Sequence, residues 1–280
     1  MQSLVSVAGD TARRLHQLME PIHLVTYFAD EPDQALMALG LRNTWDAYFA
    51  GRAAPLGRVP AEVVDAVFYN FAAGEVARHI PRVWEVTTPE AALAARQEGS
   101  AAALRRILGD LAGTSTLARA AELATKAATS APTEGRVLYA ALRTVPVPVD
   151  PVARLWHAAT LLREHRGDGH NAALVAAGIG GTEAHVLHAL SEGMPPEKFG
   201  RVHHLPADRL AAVVDGMRVR GLIDGSGQLS DAGRRAKEQI ESITDDLAAA
   251  AYAILAPGER DQLIADLEPI AATLEAAGSR

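Results

Sequence analysis

Apolar residues recur at helical spacing along most of the chain. In the run LPADRLAAVVDGMRVRGLID, Leu210, Val213, Val214 and Met217 share one helix face. Asp150 followed by Pro151 is a favourable N-cap and first-turn pair, because proline's missing N–H has no intrahelical partner there. A helix is therefore predicted from Val152 to Glu164. The polar run His165–His170, with Gly167 and Gly169 in it, is predicted to break that helix as a turn. Short helices follow in NAALVAAG, ending at Gly178, and from Thr182 to Gly193. After the Leu205–Asp224 helix, Gly225-Ser226-Gly227 predicts a tight hairpin. Ser230 then caps a long helix reaching about Ala251.

The same order of elements recurs in the first half. ARRLHQLMEPIHLVTYF (12–28) pairs with VARLWHAATLLREHR (152–166), and QALMALGL (34–41) with NAALVAAGI (171–179). VPAEVVDAVFYNF (59–71) pairs with LPADRLAAVVDGM (205–217), and TPEAALAARQEGSAAALRRIL (88–108) with SDAGRRAKEQIESITDDL (230–247). APTEGRVLYAAL (131–142) pairs with APGERDQLIADL (256–267); both open on Ala-Pro and predict the start of the same kind of amphipathic helix. Extra residues between Leu108 and Ala131 interrupt the first copy. Five matches in one order point to a tandem duplication, with a first, degenerate unit at 1–148 and a second at 149–280.

From Leu205 onward the chain resembles the MarR-type winged-helix regulators. The resemblance rests on Gly221-Leu222-Ile223-Asp224 at the end of a recognition-type helix, on LSDAGRR (229–235) opening the next, and on the closing LAPGERDQLIADLEPI (255–270). The chain as a whole also resembles an actinobacterial helix-turn-helix family without a settled function. The MarR resemblance implies a mainly α fold of two fused winged-helix units, helices plus small β-hairpins, that form a pseudo-dimer within one chain. It further implies a ligand site between the helical dimerisation part and the heads.

Composition agrees with helices. The 280 residues are 49% hydrophobic and only 5% aromatic. The absence of cysteine excludes disulfides, thiolate catalysis and Cys-ligated metal centres. No apolar run approaches membrane-spanning length, and the N-terminus lacks a signal-peptide layout, so a cytoplasmic location is expected. A net charge of −7 gives no overall pull toward nucleic acid. A DNA-reading helix needs basic and amide side chains, and the second unit offers Arg201, Arg209, Arg218 and Arg220, diluted by Asp208, Asp215 and Asp224. The equivalent first-unit stretch, reading as a helix to Pro81, is acidic at Glu62, Asp65 and Glu75. DNA binding is accordingly expected to be weak or single-headed.

The densest chemistry lies where the first helix of each unit ends. The second unit has Arg163, Glu164, His165, Arg166, Asp168 and His170; the first has His23, Tyr27, Phe28, Trp45, Tyr48 and Arg52. Facing each other across a pseudo-two-fold, these sets would form a pocket with one aromatic wall and one charged wall, suited to an anionic or aromatic small molecule. Two other readings stay open. His165, Asp168, His170 and His23 could hold a metal, or the whole set could be satisfied polar structure. No nucleophile motif, phosphate loop or dinucleotide fingerprint marks an enzyme, and no cofactor is implied. The expected function is a ligand-responsive winged-helix transcriptional regulator, acting as a monomer or homodimer. The alternative is a winged-helix scaffold that has lost DNA binding and binds or converts a small molecule.

Overall fold

In the helix Pro151–Ala176 every residue from Leu155 to Leu162 is buried, so each side of that stretch has to meet a neighbour. The computed structural model describes residues 2–198 and 202–278 and packs this helix among five others. In chain order the helices are α1 (Gln2–Phe28), α2 (Asp30–Met37), α3 (Thr44–Ala53), α4 (Ala61–Phe68), α5 (Val83–Val86), α6 (Pro89–Leu108), α7 (Ser115–Ser130), α8 (Val137–Leu142), α9 (Pro151–Ala176), α10 (Gly181–Ser191), α11 (Ala207–Val219), α12 (Asp231–Ala249) and α13 (Pro257–Gly278). Their N-termini are capped as the residue types predict. Asn43, Thr88, Thr114, Asp150 and Ser230 each accept a backbone N–H three residues on.

The fold is mainly α. Among the described residues there is no strand, only an isolated antiparallel bridge between Ile223 and Leu229. Asp224 N–H donates to the Gln228 carbonyl at 2.8 Å beside it.

Three expectations are corrected. The run 165–170 is not a turn: α9 passes straight through it. Arg166 in the run is paired with Glu241 and Asp245, and Glu164 just before it with Arg163 and Arg52. Gly169 allows a close approach, since a Cβ there would stand 2.5 Å from the Arg136 guanidinium. The second correction concerns the acidic first-unit helix, which ends at Phe68 rather than at Pro81. The third concerns the two Ala-Pro segments, which are not alike. Pro257 starts the 22-residue α13, whereas Pro132 precedes a turn and the six-residue α8. The long helix that follows α6 is α7, built from the residues that looked like an insertion.

Two cores result. The larger takes in α1 to α9, α12 and α13. Within it α7 lies along α9 while α13 lies along α1, and α6 and α12 each touch both central helices. The smaller core belongs to a head made from the end of α9 with α10, α11, the bridge and the start of α12. It is centred on Leu174, Ile179, Val186, Leu187, Met217 and Ile223. The first half forms no separate head. Its α3, α4 and α5 bury Phe49, Phe68 and Trp84 in the main core instead.

Candidate functional site

α3 puts Trp45, Tyr48 and Arg52 on one face, at the i, i+3 and i+7 positions of a helix. That face meets the end of α1, where Tyr27 and Phe28 stand. The two enclose a chamber of about 340 Å³, also lined by Phe71, Arg96 and Arg163. Tyr27 and Tyr48 lie 5.2 Å apart, and Trp45 and Phe71 meet edge to face at 6.3 Å. Phe28 stands at the rim, 82% exposed.

Three guanidinium groups enter this aromatic space with a shortage of acids. Arg163 donates to Glu164 at 2.8 Å, and Arg52 reaches the other carboxylate oxygen at 3.4 Å. Arg52 also donates to the Tyr48 hydroxyl at 3.0 Å and lies over the Phe68 ring at 4.2 Å, while its Nε is buried without a partner. Arg96 reaches the Tyr27 hydroxyl and the Gly51 carbonyl, each at 3.3 Å. Burial acts against the Arg52 and Arg163 charges, but Glu164 and the tyrosines outweigh it, and both are held firmly protonated. Burial likewise works against the Glu164 carboxylate, and Arg52 and Arg163 overcome it, holding the group ionised.

A second, smaller chamber of about 140 Å³ adjoins the first and shares Arg52 and Arg163 with it. Its walls are polar: Arg166, Asp168 and His170 from α9, with Glu20 from α1 and Asn70 after α4. Burial pushes the Asp168 carboxyl up to about 6, against the Tyr139 N–H that donates to it at 3.0 Å.

Ten of the twelve side chains expected at this seam therefore line the two chambers: Tyr27, Phe28, Trp45, Tyr48, Arg52, Arg163, Glu164, Arg166, Asp168 and His170. The other two do not. His23 is fully buried with Nδ1 on the Thr160 hydroxyl at 3.0 Å, and His165 is fully buried beside a void of about 10 Å³. Burial first, then Arg163 and Arg96, holds His23 neutral. Burial and Arg136 take His165 down to about 3. Among the described residues no three His, Asp or Glu side chains are grouped to hold a metal ion.

In the head, Arg209 is exposed on α11. Arg218 is paired with Asp215 at 2.6 Å, and Arg220 with Glu183 at 2.8 Å and the Gly178 carbonyl at 3.0 Å. Arg201 lies outside the described residues. The end of α4 joins the seam to this head. Tyr69, held at a φ of +61°, donates its hydroxyl to the Ile179 carbonyl at 2.5 Å, and Asn171 donates to the Val67 carbonyl at 2.9 Å. A Cβ on Gly181 would overlap the Tyr69 carbonyl oxygen.

Sequence reasoning missed Arg96 and the link through Tyr69. Arg96 carried a signal: it lies on the small-residue face Ala92, Ala95, Gly99 and Ala103 of α6, where a charge has to be buried. Nothing in the sequence marked Tyr69, whose role depends on a contact across 110 residues. No helix among the described residues is long and apolar enough to cross a membrane. A family model described as a helix-turn-helix family matches residues 12–279. No curated protein and no solved structure matches the chain.

Proposed function

The chain belongs to this helix-turn-helix family, and on that premise we propose that it is a ligand-responsive transcriptional regulator of MarR-like, winged-helix type. In this reading two units descended from a tandem duplication form a pseudo-dimer in one chain. The second unit keeps the DNA-reading head, with α11 as recognition helix. The first unit has given up its head and contributes the aromatic wall of a small-molecule site. The observation that carries the reading is the 340 Å³ chamber with its aromatic wall and three guanidinium groups. Its size and makeup suit an aromatic anion. A carboxylate about 4 Å from a guanidinium gains about 4 kcal/mol at an effective dielectric near 20. Phe68 supports a route to the head, because it carries Arg52 on its face and precedes the Tyr69 that docks on Ile179.

The test is retardation of promoter fragments by the purified chain at low salt, with and without added aromatic anions. Retardation that aromatic anions alter supports the regulator. No retardation of any fragment overturns it.

One observation favours a second reading, a scaffold that binds or converts a small molecule without DNA. Residues 177–230 carry five cations (Lys198, Arg201, Arg209, Arg218 and Arg220) against six acids (Glu183, Glu192, Glu197, Asp208, Asp215 and Asp224). Two of those arginines already pair with acids of the head itself. The same retardation experiment, coupled to ligand binding by calorimetry, separates the two readings.

A further inference from the structure

The polar chamber beside the aromatic one is lined by charged groups whose partners can be traced. Glu20 pairs with His16 at 2.6 Å, and Arg166 with Glu241 and Asp245 at 2.9 Å each. Glu164 is taken by Arg163 at 2.8 Å. Two groups in the walls are left short. Arg52 donates to the neutral Tyr48 hydroxyl at 3.0 Å, but its ion pair is only the long 3.4 Å contact to a Glu164 already held by Arg163, and its Nε is buried and unpartnered. Asp168, 8% exposed, accepts the Tyr139 N–H; the Arg136 guanidinium acts on it through space but donates to the His165 and Leu247 carbonyls, and among the described residues no cationic side chain forms an ion pair with Asp168. One chamber thus holds a cation in want of an anion and a carboxylate in want of a cation. Buried charges of this kind are stable only when paired.

The complement of such a chamber is a zwitterion. Through Arg52 and Arg163 it borders the larger space walled by Tyr27, Trp45, Tyr48 and Phe71. At about 140 Å³ it has room for a charged head group, while the aromatic chamber has room for a ring. We infer that the ligand of the seam is an aromatic zwitterion of amino-acid type, with its carboxylate on Arg52, its ammonium on Asp168 and its ring in the aromatic chamber. This rests on the reading of the seam as a ligand site and specifies which aromatic anions it takes. An aryl carboxylate without an amine would satisfy Arg52 and leave Asp168 as it was. An arylamine would do the reverse.

The experiment is calorimetric titration of the intact chain with three sets of probes. The sets are phenylalanine, tyrosine and tryptophan; 3-phenylpropionate and indole-3-propionate, which lack the amine; and phenethylamine and tryptamine, which lack the carboxylate. The expected result is at least tenfold tighter binding of one amino acid than of its amine-free counterpart. Asp168→Asn, which keeps an acceptor for the Tyr139 N–H, is expected to abolish that preference and leave the amine-free acid within twofold. Equal affinity of the amino acid and its amine-free counterpart for the wild type overturns the inference. So does a preference that survives in a folded Asp168→Asn. If the amine-free acids bind and the amino acids do not, the zwitterion is wrong and the seam remains a ligand site. If no probe of any set binds, the reading of the seam fails first and this inference with it. The wild-type comparison decides the matter even if the variant does not fold.

Discussion

Tyr69 hands its hydroxyl proton to the carbonyl oxygen of Ile179 at 2.5 Å, joining the end of α4 to the turn that opens the head. It does so from a left-handed φ of +61°, which for a residue with a side chain costs about 1–2 kcal/mol. The contact therefore has to return more than that. Tyr69→Phe removes one hydrogen bond and leaves a carbonyl without its donor, at a cost of about 1–3 kcal/mol. Hydrogen exchange should show the amides of α10 and α11 opening at least fivefold more often, with α1 and α9 unchanged. Uniform loosening of the whole chain would mean that Tyr69 is ordinary core.

Two glycines in helices should respond to alanine with opposite signs. A Cβ on Gly99 would stand 2.5 Å from the Pro32 Cα, where α6 crosses α2, and backbone cannot give way as a side-chain tip can. Gly99→Ala is expected to destabilise by about 1–3 kcal/mol. Gly216, on α11, has nothing within 4 Å. Gly216→Ala should stabilise by about 0.5–1 kcal/mol through helix propensity alone. Urea unfolding of both variants measures the pair.

The coarse helix order and much of the seam were legible because they follow from local rules. Caps such as Asp150 and Ser230 act within one turn, and the charge and aromatic clusters are contiguous in sequence. The run 165–170 misled because its glycines and charges read as a turn when the partners are unseen. Arg136 packs against Gly169 and donates to the His165 carbonyl, and Glu241 and Asp245 take Arg166 from another helix. The match of the two Ala-Pro segments fails for a related reason. Composition matched α8 to α13, whereas the helix packed along α9 as α13 is along α1 is α7.

Acid should weaken the fold from a specific starting point. Burial takes His157 down to about 4 and His165 to about 3, and holds His23 well below its ordinary value. Below pH 6.5 the unfolded chain protonates these groups and the folded chain does not. The unfolded state then binds more protons, and stability falls as pH falls. Each excluded site costs about 1.4 kcal/mol per pH unit over that range. Asp168 works in the other direction between about pH 6 and 4, because its folded pKa is raised. His170 is also held below its ordinary value and Asp65 above its own, mainly by burial; two carboxyls against four imidazoles lose, so the urea midpoint should drop from pH 7 to pH 5. A midpoint that rises over that interval would contradict the assignment of these histidines as buried and neutral.

Arg209 and Arg220 should behave differently in DNA binding. Arg209 is exposed and forms no ion pair among the described residues, so Arg209→Gln is expected to weaken binding and lower the salt slope by about 1. Arg220 anchors Glu183 and the Gly178 carbonyl. Arg220→Gln should instead lower the melting temperature of the head. Salt titrations of fluorescence anisotropy, with calorimetric melting alongside, separate the two effects.

An aromatic anion bound at the seam would depend first on Arg52. Isothermal titration of the intact chain with aromatic carboxylates, wild type beside Arg52→Gln, measures the loss of one charge-assisted contact worth about 1.5–3 kcal/mol. The expected result is saturable one-site binding to the wild type and at least a tenfold larger dissociation constant in the variant, with the fold retained. Unchanged affinity in a folded Arg52→Gln would contradict it.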